Sequence, residues 1–228
     1  SSNDVIPTAL QIACALGVRD GLLPALKKLQ TALQRKATQF RRVIKTGRTH
    51  LMDAVPVRLG DEFGAFATLL GDAMESLDAA TERLLVLPLG GTAVGTGINA
   101  HPQFAAKIIA QLARETRLPL HAANDRLTAQ SCPLALQALS SALKEIAVAL
   151  TKVANDIRLM ASGPVSGLCE LSLPAMQPGS SIMPGKVNPV MCEMTNMVAF
   201  QVIGYDTTVM MAAQAGQLEL NVMMPLMA

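Results

Sequence analysis

The sequence predicts an all-α protein built as a bundle of long helices. Three observations carry this. Leu136, Leu139, Leu143, Ile146, Leu150, Val153, Ile157 and Met160 recur at alternating steps of three and four, an a/d seam of more than three heptads. Apolar residues make up 50% of the 228 positions, charged residues only 16% and aromatics 3%. Ala and Leu abound and Met is frequent, and slim side chains of this kind suit close helix packing. The long apolar segments are separated by stretches dense in glycine and proline, where neither helix nor sheet continues easily.

In chain order, Ser1 to Asp4 is a polar entry, with Pro7 tolerable in a first helical turn. A helical pattern follows to about Lys45, with a kink expected near Gly21 and Pro24. Its basic residues, Lys27, Lys28, Arg35, Lys36, Arg41 and Arg42, read as a solvated face. Gly47 to Gly60 breaks the helix and puts Thr49 and His50 in a polar corner. Leu59 to about Leu87 is the next helix. LPLGGTAVGTGINAHPQF then forms a second loop, and Pro102 is placed to open a helix. The seam helix ends at Gly163-Pro164, and Pro189 to about Ala213, apolar on most faces, reads as a central helix. Glu219 and Asn221 lie in the last recognisable segment, AGQLELNVMMP.

Composition excludes several classes. A net charge of +2 leaves no nucleic-acid footprint. No uninterrupted apolar run of about 18 residues occurs, so a membrane span is not expected. The mean hydropathy of +0.35 is high for a soluble monomer, and the apolar surplus points to an oligomer core. Cys14, Cys132, Cys169 and Cys192 form no C-x-x-C pair, which suits free thiols in a reducing cytoplasm. His50, His101 and His121 show no ligand spacing either, so neither a catalytic metal nor another cofactor is expected.

The chemistry is concentrated in QPGSSIMPGKVNPVMCE, Gln177 to Glu193. Pro178, Pro184 and Pro189 remove donors and fix φ, while Gly179 and Gly185 free the backbone. Ser180 and Ser181 supply hydroxyls and N–H groups, Lys186 a positive charge and Asn188 an amide. Such a set can bind an anion and handle a proton.

The eleven residues GSSIMPGKVNP resemble the signature loop of the fumarase/aspartase superfamily. SSNDVIPTA, GRTHLMDAVP and GGTAVGTGINAHP resemble further shared segments, and the similarity runs along the whole chain. Because Ser1 opens in mid-motif, residues 1–228 are expected to be a fragment, the central helical-bundle domain of a longer protein. The resemblance implies a lyase that eliminates ammonia or water from a succinyl skeleton to give fumarate. It implies Ser180 as the base, with His101 paired to Glu193. It also implies Ser1, Ser2, Asn3, Thr49, His50, Ser181, Lys186 and Asn188 as contacts to a dicarboxylate or amino-acid substrate. Active sites in the family are assembled from three subunits of a homotetramer, so these residues need not meet within one chain.

The substrate marks are mixed. SSND and the AHP histidine are similar to fumarases, whereas AVPVRLGDEF, IRLMASGP, VNPVM and AAQAGQLELNVM look like aspartate ammonia-lyases. L-Aspartate is therefore the expected substrate, with fumarate/L-malate as the alternative. A catalytically silent helical protein, of which the superfamily has a lens-crystallin example, is the further alternative. Ala100, Val165, Tyr205 and Met224 depart from the family pattern.

Overall fold

The computed structural model describes residues 1–228. The chain opens with α1 (Ser2–Gly17) and α2 (Leu23–Gln39), joined without interruption by a π-helical turn, Val18–Leu22. The expected kink is thus a widened turn, and Pro24, which has no N–H to give to that turn, follows directly after it. Helix α2 ends at Gln39 rather than near Lys45. The following segment is not an open corner but an antiparallel hairpin of β1 (Ile44–Thr49) and β2 (Met52–Arg58). Alternating residues and β-branched Ile44, Thr46, Thr49, Val55 and Val57 favour the extended form there.

Helix α3 (Leu59–Leu84) runs back along α2 and leads into β3 (Val86–Leu87), which pairs in parallel with β4 (His121–Ala122). Between them lie the glycine-rich loop and α4 (Phe104–Thr116); α5 (Arg126–Ser131) follows β4. Helix α6 (Leu134–Met160) contains the whole heptad seam, and α7 (Val190–Gln214) packs along it. The two sheets have two strands each, so the protein is helical in architecture, as expected.

The core is one cluster of 27 buried residues centred on α3 and α6. Leu70, Leu77 and Leu84 of α3 meet Leu136, Leu139, Ile146 and Val153 of the seam. Phe40, Phe63 and Phe66 stack edge to face at one end, with centroids 5.3 and 5.6 Å apart. By length and mean hydropathy (1.3) the α1–α2 stretch and α6 could each cross a bilayer. The α6 seam is instead packed by α3 and α7, the situation of a core helix.

Helix α7 is built inside out for a lone chain. Its buried residues are Asn196, Ala199, Asp206, Ala212 and Ala213. Asp206 accepts from Ser140 Oγ at 2.8 Å and pairs with Lys144, both on α6. Asn196 donates to Asn155 Oδ1 at 2.7 Å. Small and polar groups therefore fill the buried contact with α6, while Met191, Met194, Met197, Val198, Phe200, Tyr205, Met210 and Met211 are left 45–69% exposed.

Candidate functional site

The serine loop spans residues 161–189 between α6 and α7 and has no regular secondary structure. Its tip is closed by backbone bonds: Ser180 N–H donates to Lys186 O at 3.2 Å, and Lys186 N–H to Met183 O at 3.3 Å. Gly179 is required for this closure, because a Cβ there would stand 2.2 Å from Lys186 O. The Ser180 hydroxyl oxygen accepts from Ile182 N–H at 3.2 Å and Met183 N–H at 3.1 Å. Two donors aimed at one oxygen stabilise negative charge on it, as an alkoxide requires. Ser181 and Lys186 are exposed beside it, Asn188 is half-buried, and Lys186 lines a cavity of about 520 Å3.

Thr49 and His50 occupy the turn of the β1–β2 hairpin. Thr49 pairs with Met52, leaving His50 and Leu51 as a two-residue loop with φ of +54° and +62°. Positive φ at both positions is the geometry of the tight hairpin turn usually given to Asn-Gly, and Leu51 is a costly residue there. His50 lines a second cavity, about 620 Å3, with Lys45, Arg48, Glu62, Lys152 and Asp156.

The N-terminal segment and the glycine-rich loop are docked together. Ser1 caps α1 by accepting from Asn3 N–H at 3.2 Å; Ser2 is exposed in the first turn. Asn3 Nδ2 donates to Ala93 O at 2.8 Å. Asp4, 1% exposed, accepts from Gly90 N–H at 2.9 Å and Thr92 N–H at 3.1 Å. Gln130, fully buried, donates to Thr92 O at 3.1 Å. Asp4 and Gln130 thus hold the loop from two sides. Sequence reasoning passed over both: Asp4 read as part of a polar entry, and Gln130 carries no local signal.

His101 is exposed at the far end of this loop, and its Nδ1 accepts from Gln103 N–H at 3.1 Å. Glu193, in the first turn of α7, lies 3.5 Å from Arg158 Nη2. The His101–Glu193 pair is not formed within the chain. No hydrogen bond or ion pair joins the serine loop to His50 or to His101, and the cavity that His50 lines reaches the loop at Leu168 but at none of Ser180, Ser181, Lys186 or Asn188. The expected residues fall into three separate surfaces of one chain: Ser1 to Asn3 with residues 90–101, the hairpin corner, and the serine loop. No three His, Cys, Asp or Glu side chains converge on a common point.

One further carboxylate stands out. Glu170, near the start of the serine loop, lies 2.6 Å from Lys45 Nζ and 2.5 Å from Arg48 Nη1. Burial raises its pKa, but the hydrogen bonds and charges of Lys45 and Arg48 outweigh that and hold it below the usual carboxylate range. Its partner Lys45 is raised despite burial, through Glu170 and Glu62.

The family model described as Lyase matches residues 1–204. Over its full length the chain is 51% identical to fumarate hydratase class II of Methylorubrum extorquens and 48% identical to aspartate ammonia-lyase of Bacillus subtilis, spanning 48% of each. It therefore covers about half the length of these relatives. The fold superposes on class II fumarase from Schistosoma mansoni with a TM-score of 0.95 and 41% identity, covering all of this chain and 50% of that one. It also superposes on a fumarate lyase:delta crystallin from Brucella melitensis bound to cobalt, with a TM-score of 0.95 and 48% identity, over 49% of that chain.

Proposed function

The chain belongs to the fumarase/aspartase superfamily of lyases, and from that premise we propose that it is the central domain of an enzyme forming fumarate by anti-elimination. The observation that carries this is the Ser180 hydroxyl, held in GSSIMPGKVNP with two backbone N–H donors on its oxygen. In the proposed reaction Ser180 Oγ, as alkoxide, takes a proton from the carbon beside one substrate carboxylate. The electron pair moves onto that carboxylate's oxygens, and the intermediate collapses by forming the C=C bond and expelling the substituent on the neighbouring carbon. Binding an intermediate with so much negative charge is an electrostatic task. Ser181, Lys186 and Asn188 would meet it from the same loop. Ser1, Ser2, Asn3, Thr49, His50, His101 and Glu193 would complete the site from other copies. The outward apolar face of α7 supports a homotetramer in which three surfaces meet. Four free thiols fit a cytoplasmic setting.

For the leaving group, we propose ammonia from L-aspartate, because AAQAGQLELNVM follows the amino-acid lyases. L-Malate is the second reading, favoured by His101 and by the several similar relatives named fumarate hydratase class II. Ammonia departs with little acid assistance, whereas hydroxide needs a proton donor. The test is fumarate formation by the full-length protein from the two substrates side by side. Aspartate is expected to have a kcat/KM at least ~10-fold above malate, about 1.4 kcal/mol in transition-state binding. Faster turnover of malate overturns the aspartate reading; no turnover of either favours another succinyl substrate or a catalytically silent protein.

A further inference from the structure

The hairpin that carries Thr49 and His50 has almost no apolar hold on the body of the protein. No residue of β1 or β2 is buried, and Ile44, Leu51 and Val55 are 73%, 71% and 76% exposed. The hairpin's base is tied covalently to α2 and α3, but its far half needs another anchor. That anchor is ionic. Lys45 Nζ lies 2.9 Å from both Glu62 oxygens and 2.6 Å from Glu170 Oε2, and Arg48 Nη1 lies 2.5 Å from Glu170 Oε1. These four side chains are only 11–26% exposed, so water screens them less than a surface pair.

Residues three apart on a regular strand point to opposite faces. Lys45 and Arg48 nevertheless reach the same carboxylate, on a stretch where the ladder is irregular: between Thr46 and Arg48 the partner strand β2 carries one extra residue, which increases the local twist. Glu170 is itself fixed: its N–H donates to Met160 O at 2.8 Å, at the end of α6. Its carboxylate therefore joins three things: the end of a core helix, the foot of the serine loop and the strand that ends in His50. We propose that Glu170 is a positioning residue for the Thr49–His50 corner, setting where the hairpin stands relative to the serine loop. This rests on the reading that Thr49 and His50 contact substrate.

The test uses the full-length protein and the succinyl substrate it turns over. Glu170→Gln keeps the side chain's shape and removes its charge. The expected result is a KM raised ~10-fold or more with kcat within ~3-fold, since uniform binding is lost rather than a transition-state contact. Amide exchange should quicken over residues 44–58 while α3 and α6 keep their protection. Arg48→Gln, which removes the same contact from the hairpin side, should reproduce both effects and decides the matter if Glu170→Gln does not fold. An unchanged KM with unchanged hairpin exchange overturns the proposal, as does a loss of protection spread evenly over α3 and α6. If the wild type turns over no succinyl substrate, the functional reading has failed, and hairpin exchange alone decides the role of Glu170.

Discussion

At the scale of single residues, Ser180 is defined by its donors. A serine hydroxyl is a poor base, and only stabilisation of the alkoxide makes it serviceable. Ile182 and Met183 N–H supply part of that stabilisation from within the loop. Ser180→Ala in the full-length protein should lower kcat by ~10³ or more with little change in substrate affinity. Steady-state kinetics with tight-binding controls would show it, and near-normal turnover would remove Ser180 from the role. The identity of Ser180 was legible in the sequence from its motif; its two donors were not, because they depend on how the loop closes on Lys186. Asn221 illustrates the reverse. It lies in the segment used to tell amino-acid lyases from fumarases, yet it is buried and donates to Ala212 O and Ala213 O at 2.9 and 3.1 Å. Its visible work is to cap the end of α7.

At the scale of elements, buried polar contacts reinforce the apolar packing of α7 along α6. Burial raises the pKa of Asp206, but Lys144, Ser140 and Ser141 outweigh it and hold the carboxyl below its ordinary value. A carboxylate with a depressed folded pKa stabilises the fold above its unfolded pKa of about 3.9, and loses that contribution as pH falls through the folded value. Asp206→Asn should therefore lower stability at neutral pH by about 2 kcal/mol, read as a shift in urea midpoint. The gap between variant and wild type should close progressively below about pH 4. A gap that persists undiminished into strong acid would mean that packing, not charge, carries the contact. The hairpin shows the limit of periodicity at this scale: Gly47 and Pro56 marked a break, but the helix had already ended at Gln39, and the pairing of β1 with β2 is a cross-strand property that a break signal does not contain.

At the scale of the whole molecule, one chain leaves too much apolar surface in water. Met197, Phe200 and Tyr205 of α7 are 69%, 60% and 60% exposed. Burying a side chain of this size contributes roughly 1.5–3 kcal/mol, so several such exposed residues on one helix are ample for assembly. The full-length protein should sediment as a tetramer, and the double variant Met197→Glu, Phe200→Glu should fall to smaller species with loss of activity. A wild-type monomer that is monodisperse and active would refute the shared-site reading. The three separate surfaces within the chain make the same point from chemistry, since none of them holds the full set of groups alone.

The sequence by itself determined the helical class, the seam of α6, the limits of most long helices and the family, because each is written in local periodicity, in breakers or in contiguous motifs. It also located the serine loop, whose glycines and prolines allow few other structures. Only the tertiary structure decided that the Thr49–His50 corner is a strained hairpin turn, that Asp4 and Gln130 clasp the glycine-rich loop, and that Glu170 gathers Lys45 and Arg48. Those contacts join residues 86, 38 and more than 120 positions apart. Nothing in a neighbouring stretch of sequence specifies a partner at that distance; the packing of α3 and α6 does, by fixing where each loop begins and ends.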